Sequence, residues 1–206
     1  RRRAGGFGDI LMQRMMFEDF NKTGLEITHA CPINFIELSR NHPYTKTIEL
    51  SEIKEEEFGA IIDITSACRS YEMKHAPYCT KHRSDIWAEY CGVTLENHNM
   101  FLTPQPIAIE RCQKYLQKIN PNNKKIILLA TKSTDNDFGI AKSLTTEQIT
   151  QLVNTIHNMN MIPISIHSIT QDIYTDLNVQ QLTLNIQDWI ALVYLSDCVV
   201  SIDTGT

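Results

Sequence analysis

KIILLAT, residues 125–131, is a short and strongly apolar run that predicts a buried β-strand. TTEQITQLVNTIHNMN (145–160) follows with apolar residues at helical spacing and with Thr145 and Gln148 placed as a capping box. MIPISIHS (161–168) predicts the next strand. Because strands that alternate with helices pair in parallel, this pattern predicts an α/β fold with a parallel sheet. One more helix and strand of the same kind close the chain, QDWIALVYLSD (187–197) and CVVSID (198–203).

The first half of the chain shows the same alternation in shorter pieces. A broad apolar helical face runs from Asp9 to Asn21, and FGAIIDIT (58–65) predicts a buried strand of a sheet covered on both faces. INPNNKK (119–125) has the composition of a linker. We therefore predict two Rossmann-like domains, residues 1–120 and 121–206. Further elements are predicted in the first half: strands at 25–30 and 45–50, and helices at 33–40, 85–92 and 108–119.

The composition is that of an ordinary globular protein. Of the 206 residues, 42% are hydrophobic and 21% are charged, which excludes a mainly disordered chain. The net charge of -5 argues against a nucleic-acid-binding surface over most of the protein. No apolar run reaches the roughly 20 residues that a membrane-spanning helix needs. Six cysteines, scattered singly, predict reduced thiols and a cytoplasmic location.

The motif GGFGD (5–9) combines flexible residues, a carboxylate and a helix start. Gly6 and Gly8 would let a ligand approach backbone N–H groups at the positive end of the helix, where an anion or a polar sugar fits. Asp9 falls where α/β folds place their ligand crevice, beyond the carboxyl end of a strand. The motif lacks the third glycine of a dinucleotide-binding fingerprint. A tight turn into a helix capped by Asp9 explains the same residues without a ligand.

Two strand ends in the second half also present polar groups. Thr131 and Lys132 follow the first strand, with Lys142 shortly after, and hydroxyls beside an ammonium suit a diphosphate. The alternative for each lysine is a solvated surface charge. The last strand delivers a carboxylate, hydroxyls and a glycine to the same kind of position: Asp203, Thr204, Gly205 and Thr206.

The order of four motifs resembles that of the ADP-heptose:lipopolysaccharide heptosyltransferases, glycosyltransferase family 9. Gly8-Asp9 is similar to the family's Gly-Asp turn that opens the first helix. Asp203-Thr204-Gly205 is similar to the family's strand-borne Asp-(Ser/Thr)-Gly. The resemblance spans nearly the whole chain, with a looser match at about 70–120. The motifs are GGFGDILM (5–12), IIDITSACRS (61–70), LLATKS (128–133) and LNIQDWIALVYLSDCVVSIDTGT (184–206).

The resemblance implies the GT-B architecture, in which two Rossmann-like domains face each other across a cleft. The first domain would bind a glycan or lipopolysaccharide-like acceptor and the second a nucleotide-sugar donor. The resemblance implies no metal or other cofactor and no nucleic acid, and it is compatible with a peripheral membrane contact. Asp9 would be the general base of an inverting transfer. The implied donor-binding residues are Thr131, Lys132, Lys142, Asp203, Thr204, Gly205 and Thr206, and the acceptor-binding residues are Gly6, Gly8, Arg69 and Arg83.

The sequence also departs from the family pattern. Lys142-Ser143-Leu144 stands where the family has a Lys-x-Trp-Pro-like element, and the pattern predicts a GT-B protein incomplete at both termini. A catalytically silent carbohydrate- or nucleotide-binding module of the same fold is an alternative, as is a nucleotide-sugar epimerase. Arg69 and Arg83 are equally explained as surface charges or helix-end partners. A zinc site at His75, Cys79 and His82 would lack a fourth ligand.

Overall fold

The structure, a computed structural model, describes residues 6–133, 142–166 and 171–202. The chain forms two compact units that divide between Thr103 and Pro104. The division lies before the helix at Pro106–Ile119, rather than after residue 120, because this helix packs within the second unit. Its Cys112 Sγ lies 3.3 Å from the carbonyl oxygen of Asp188, a residue of the helix at Ile186–Leu195.

The first unit contains a two-stranded parallel sheet and short helices. Strand β1 (Thr28–Cys31) pairs with β2 (Lys46–Glu49), so that Ala30 lies opposite Ile48. These strands confirm the two that the sequence predicts at 25–30 and 45–50. The helices are α1 (Phe7–Arg14), α2 (Phe17–Lys22), α3 (Ile36–Ser39), α4 (Ala67–His75) and α5 (Arg83–Tyr90), and short 3-10 turns occur at Ile33–Phe35, Leu50–Glu52 and Glu55–Glu57.

The prediction of a strand at 58–65 is wrong, because no strand forms in this part of the described first unit. The backbone there bonds to side chains instead of to a neighbouring strand. Trp87 Nε1 donates to the carbonyl of Ile64 at 3.2 Å, and the N–H of Thr65 donates to Asp63 Oδ1 at 3.1 Å. Ile64 is buried whereas Ile62 is 39% exposed. The isoleucines therefore belong to a packed loop. They are not part of a strand with helices on both faces.

The helix predicted from Asp9 to Asn21 is divided into α1 and α2. At the junction, Met15 N–H bonds to the Met12 carbonyl and Met16 N–H to the Gln13 carbonyl, the tighter pattern of a 3-10 turn. The turn directs Met16 and Phe17 into a core that also contains Trp87. The helical spacing of the sequence is thus real, and Met16 and Phe17 are buried at the junction of the two short helices.

Arg14, in the last turn of α1, is buried with 1% of its surface exposed. Its guanidinium donates five hydrogen bonds of 2.8–3.0 Å, all to backbone carbonyl oxygens. Burial lowers the pKa of Arg14 to about 10, so the side chain stays charged at neutral pH. The guanidinium joins α1 to the C-terminal end of α3 and to the segment that precedes α6, because the acceptors belong to Leu38, Ser39, Arg40, Met100 and Phe101.

His42 is a buried imidazole next to this charge. Its ring lies 5.1 Å from that of Phe17 and 5.2 Å from that of Phe101, and its Nδ1 accepts a hydrogen bond from Tyr44 N–H at 3.2 Å. Burial, and then the charge of Arg14, lowers the pKa of His42 to about 4. The folded protein therefore holds this ring neutral at pH values where an unfolded chain protonates it.

We expect His42 to make stability fall in mild acid. An unfolded histidine has a pKa of about 6.5, so below that pH the unfolded chain binds the additional proton, and stability is lost as the pH falls from about 6.5 towards 4. The free energy of unfolding, measured with urea, should drop by about 2 kcal/mol between pH 7 and pH 5 from this group alone. His42→Gln should remove most of that drop. An equal drop in both proteins would contradict the assignment.

The second unit is built on a four-stranded parallel sheet with the order β5-β4-β3-β6. Strand β3 (Ile126–Ala130) lies at its centre, and all five of its residues are buried. The predicted strands and helices of this half are confirmed within one to three residues. The other elements are α6 (Pro106–Ile119), α7 (Thr146–Asn158), β4 (Ile162–Ser165), α8 (Asp172–Asp176), β5 (Gln180–Gln181), α9 (Ile186–Leu195) and β6 (Cys198–Ser201).

Helices cover both faces of this sheet. Ile126, Leu128 and Ala130 of β3 belong to one hydrophobic cluster with α6 and α9. Ile127 and Leu129 belong to another, with α7 and α8. Side chains alternate between the faces of a strand, so a continuous apolar run is required when both faces are covered. KIILLAT meets that requirement, which is why it predicts the fold of this unit correctly.

Two smaller predictions, the capping box and the reduced cysteines, are confirmed. The capping box of α7 is present, since Thr145 Oγ1 accepts from Gln148 N–H and Gln148 Oε1 accepts from Thr145 N–H. All six cysteines are free thiols. Across the described residues, no helix combines the length and the apolar character required to cross a bilayer.

Candidate functional site

Asp9 lies in the first turn of α1, as the GGFGD motif predicts. Its Oδ2 accepts a hydrogen bond from the N–H of Gly6 at 3.0 Å, and its side chain is 14% exposed. Its Oδ1 lies 3.1 Å from Nη1 of Arg83. The two contacts hold the plane of the carboxylate while part of it stays accessible. Such a group can accept a proton from a bound hydroxyl.

Arg83 connects Asp9 to a second carboxylate. Arg83 Nε lies 2.7 Å from Glu72 Oε1 and Nη2 lies 3.1 Å from Oε2, a bidentate pair. The pKa of Arg83 is raised above its ordinary value, first by Glu72 and then by Asp9. Arg83 begins α5 and Glu72 lies on α4, so two helices position the arginine beside α1. Sequence reasoning missed Glu72, because the apolar spacing of α4 is too weak to predict a helix.

The remaining first-unit candidates are placed differently. Gly6 is the exposed N-cap of α1 with a φ of -97°, and a Cβ built there would meet no atom within 4 Å. Gly8 lies inside the helix. Neither glycine therefore uses the positive φ that glycine permits. Arg69 is exposed on α4, one turn before Glu72. The roles of Gly6, Gly8 and Arg69 in acceptor binding stay predictions.

The second unit has a topological switch point at its carboxyl edge. The chain runs from β3 to β4 and β5 on one side and then returns to place β6 on the other side of β3. Ala130 pairs with Ser201, and the N–H of Ile202 donates to the Ala130 carbonyl at 3.1 Å. The ends of β3 and β6 are therefore adjacent. In open α/β sheets, ligands bind in the crevice at such a point.

Thr131 and Lys132 leave β3 at this switch point. Thr131 is fully buried, and its Oγ1 shares a hydrogen bond with the hydroxyl of Tyr174. The Thr131 carbonyl accepts from Leu144 N–H at 2.9 Å, and Ser133 N–H donates to Ser143 Oγ at 3.0 Å. These bonds bring the segment that contains Lys142, an exposed residue, next to the end of β3. Lys132 is half-buried.

Part of the predicted donor site lies outside the described residues: Asp203, Thr204, Gly205 and Thr206. Strand β6, which leads to them, ends at Ser201 beside β3. Tyr174 on α8 is a residue that sequence reasoning missed, because α8 is a single short helix without a clear apolar period. Its contact with Thr131 joins residues that are 43 positions apart, so no local sequence pattern predicts it.

His75 and Cys79, two members of the zinc site considered above, have other contacts. His75 Nδ1 bonds to the Tyr71 carbonyl at 2.8 Å, and Cys79 Sγ lies 3.7 Å from the carbonyl of Glu72. The structure instead groups the third member, His82, with Asp85 and His98. In the described ranges this is the one set of three such side chains with ligand atoms within 4.8 Å of one another.

No protein-family model and no curated protein matches the sequence. Solved structures do match the fold. A glycosyl transferase family 9 structure from Veillonella parvula DSM 2008 has a TM-score of 0.70 at 9% identity, covering 97% of this chain and 73% of its own. E. coli heptosyltransferase WaaC with ADP has a TM-score of 0.60 at 14% identity, covering 100% and 82%.

A third structure, E. coli ADP-heptose lps heptosyltransferase II, has a TM-score of 0.57 at 11% identity, covering 100% of this chain and 80% of its own. At such low identity the likeness establishes the fold alone. It agrees with the order of the four motifs in the sequence. The chain therefore has the α/β fold, with parallel sheets, of the glycosyltransferase family 9 heptosyltransferases.

Proposed function

We propose that the protein is an inverting glycosyltransferase that moves a sugar, a heptose, from a nucleoside-diphosphate donor to a glycan acceptor in the cytoplasm. The observation that supports it most is the Asp9 carboxylate, held by Gly6 and Arg83 at the start of α1 in a fold shared with heptosyltransferases. Asp9 also occupies the position of the Gly-Asp turn in the family resemblance. The proposed chemistry uses no metal.

In the proposed reaction Asp9 takes the proton of an acceptor hydroxyl as its oxygen attacks the anomeric carbon. The new bond forms on the face opposite the diphosphate, and the old carbon–oxygen bond breaks with its electron pair leaving on the diphosphate. A single displacement of this kind inverts the anomeric configuration. The transition state gains positive charge on the sugar and negative charge on the leaving group, so fixed charges around both lower the barrier.

Arg83 and Glu72 act as positioning residues in this proposal. The bidentate Glu72 pair fixes the guanidinium, and the guanidinium in turn fixes Oδ1 of Asp9. Arg83 is 44% exposed in its side chain, so an anionic group of the acceptor could also reach it. Both roles require the planar fork of arginine, which lysine does not supply.

The diphosphate of the donor is proposed to bind at the β3–β6 switch point. Lys132 and Lys142 supply positive charge there, and the further donor contacts are proposed for Asp203, Thr204, Gly205 and Thr206, which follow β6 in the sequence. WaaC has been solved with ADP and with ADP-2-deoxy-2-fluoro heptose, so ADP is the first probe to use on this protein.

We expect ADP to raise the melting temperature of the protein. At 100 times the dissociation constant, binding stabilises a folded protein by about 2.7 kcal/mol, which is a shift of several degrees. Lys132→Ala should weaken ADP binding by about tenfold, because one charge-assisted contact is lost. Lys118→Ala, which removes an exposed lysine of α6, is the matched control and should bind ADP normally. Equal binding by both variants would contradict the placement of the donor site.

Product analysis separates the three candidate functions. A transferase forms product from ADP-heptose only when an acceptor is present. An epimerase converts the nucleotide sugar without an acceptor, and a silent module binds it without turnover. Either of the last two outcomes would overturn the proposed function.

A further inference from the structure

His82, Asp85 and His98 form a cluster of metal-ligating side chains on the first unit. The nitrogen and oxygen atoms that they offer lie within 4.8 Å of one another. We propose that these three residues bind a divalent transition-metal ion, Zn²⁺, with water completing its coordination. The inference goes beyond the proposed function and does not depend on it.

The distances suit a zinc ion. His98 Nε2 lies 3.3 Å from Asp85 Oδ1. Zinc binds imidazole nitrogen and carboxylate oxygen at about 2.0–2.2 Å, so two ligands of a tetrahedral ion are about 3.3–3.5 Å apart. The His82 ring lies 5.7 Å from the His98 ring, centroid to centroid, with an interplanar angle of 84°. Two imidazoles at such an angle can both direct a nitrogen towards one point without stacking.

The backbone on both sides of His98 is held in place. Before it, Glu96 N–H donates to Asp19 Oδ2 at 2.9 Å. After it, Asn99 N–H donates to Asn97 Oδ1 at 2.8 Å, and the Met100 carbonyl accepts from Arg14 Nε at 2.8 Å. The backbone on both sides of His98 is therefore held by contacts that do not involve Asp85, so metal binding mainly has to order the His98 side chain.

The other two ligands are fixed by α5. His82 is the N-cap of this helix, and Asp85 lies in its first turn. Nδ1 of His82 lies 2.6 Å from the hydroxyl of Ser84, which is fully buried. Nδ1 also accepts a hydrogen bond from the Ser84 N–H at 3.3 Å. These two contacts with Ser84 fix the orientation of the His82 ring, as hydrogen bonds to the imidazole do for metal-binding histidines.

Neighbouring positive charges are compensated. Lys81 pairs with Glu89 at 2.5 Å, and Arg83 pairs with Glu72 at 2.7 Å as well as with Asp9. Repulsion of a bound cation by these two residues is therefore reduced. Asp85 supplies one negative charge to the ion directly. Two imidazoles and one carboxylate favour zinc over magnesium or calcium, which prefer sets made only of oxygen.

A bound ion would join α5 to the segment between α5 and α6. Asp85 and His82 lie at one end of α5, and His98 belongs to the segment that Arg14 and Asp19 also hold. We expect the bound ion to stabilise the first unit, because it binds the folded protein more tightly than the unfolded chain, in which the three ligands are far apart.

Zinc binding by the chelator-treated full chain tests the proposal, with competition by a chromogenic zinc indicator as the readout. We expect one equivalent to bind, and we expect His82→Gln, Asp85→Asn and His98→Gln each to weaken binding by at least about tenfold. His75→Gln is the matched control, since it removes an exposed histidine of the same unit that bonds to a carbonyl. It should bind zinc as the wild type does.

Cobalt(II) gives a second readout that does not depend on affinity. A site of nitrogen and oxygen ligands should show visible d–d bands without the near-ultraviolet band of a cobalt–thiolate bond, and His98→Gln should lose those bands. The proposal fails if the wild type binds no zinc, or if the three variants bind as tightly as the control. A thiolate band that persists in His98→Gln would also overturn it, because that band would place the metal on a cysteine.

Discussion

Asp9→Asn should lower the rate of sugar transfer by about 10²–10⁴-fold while ADP binding stays unchanged. Asparagine keeps the size of the side chain but cannot accept the proton of the acceptor hydroxyl, and loss of a positioned base costs a factor of this order. The rate should be measured at saturating donor and acceptor, so that kcat rather than binding is compared. A rate within twofold of the wild type would contradict the assignment of Asp9 as the base.

Glu72→Gln is the matched control for this experiment. It weakens the bidentate pair on Arg83 but leaves the Asp9 carboxylate in place. We expect a loss of less than about tenfold, because Arg83 can still contact Asp9 and geometry rather than proton transfer is disturbed. If Glu72→Gln were as damaging as Asp9→Asn, the three charged groups would act as one structural unit and no separate base could be assigned.

Arg14→Met should destabilise the protein by about 3–5 kcal/mol, because several buried carbonyl acceptors lose their donor at about 1–3 kcal/mol each, while burial of the apolar methionine offsets part of that loss. Methionine fills a similar volume but donates nothing, so five carbonyl oxygens of Leu38, Ser39, Arg40, Met100 and Phe101 lose a strong donor. Each buried acceptor without a partner costs free energy. Urea unfolding at pH 7, monitored by tryptophan fluorescence, measures the change, since Trp87 lies in the core of the same unit.

Two further variants serve as controls for the loss of stability in Arg14→Met. Arg14→Lys retains a charge but has no planar fork, so it should be destabilised by an amount between the wild type and Arg14→Met. Arg40→Met removes an exposed arginine whose partner is Glu37, and exposed ion pairs contribute only about 0–1 kcal/mol. Comparable losses in Arg14→Met and Arg40→Met would show that the five buried hydrogen bonds do not stabilise the fold.

The second unit could be predicted from the sequence in most of its detail. Its central strand β3 is fully apolar and its helices α6 and α7 have strong one-sided patterns, so pattern and packing agree. The first unit could be predicted only in part. FGAIIDIT is as apolar as a strand, but Trp87 and Asp63 take the hydrogen bonds that a strand would use. The sequence of a single apolar run does not show whether its backbone will bond to side chains or to a neighbouring strand.

Individual site residues were easier to predict than their partners. Asp9 follows from a local motif, whereas its contact with Arg83 joins residues from α1 and α5 that are distant in the chain. Glu72 completes the arrangement from a helix of weak amphipathic character, and Tyr174 reaches Thr131 from α8. Arg14 shows no special pattern in the sequence, because its partners are backbone carbonyls that any residue provides. Such contacts depend on topology rather than on local composition.

The length of α1 has a further consequence. The helix has only 8 residues. An isolated helix needs roughly 12–15 residues to be even marginally populated in water, because forming its first turn costs free energy. Its two ends are held by Asp9 and Arg14 through contacts with distant parts of the first unit. A synthetic peptide of this segment should therefore be a coil, and Asp9 should keep its orientation only while the whole unit remains folded.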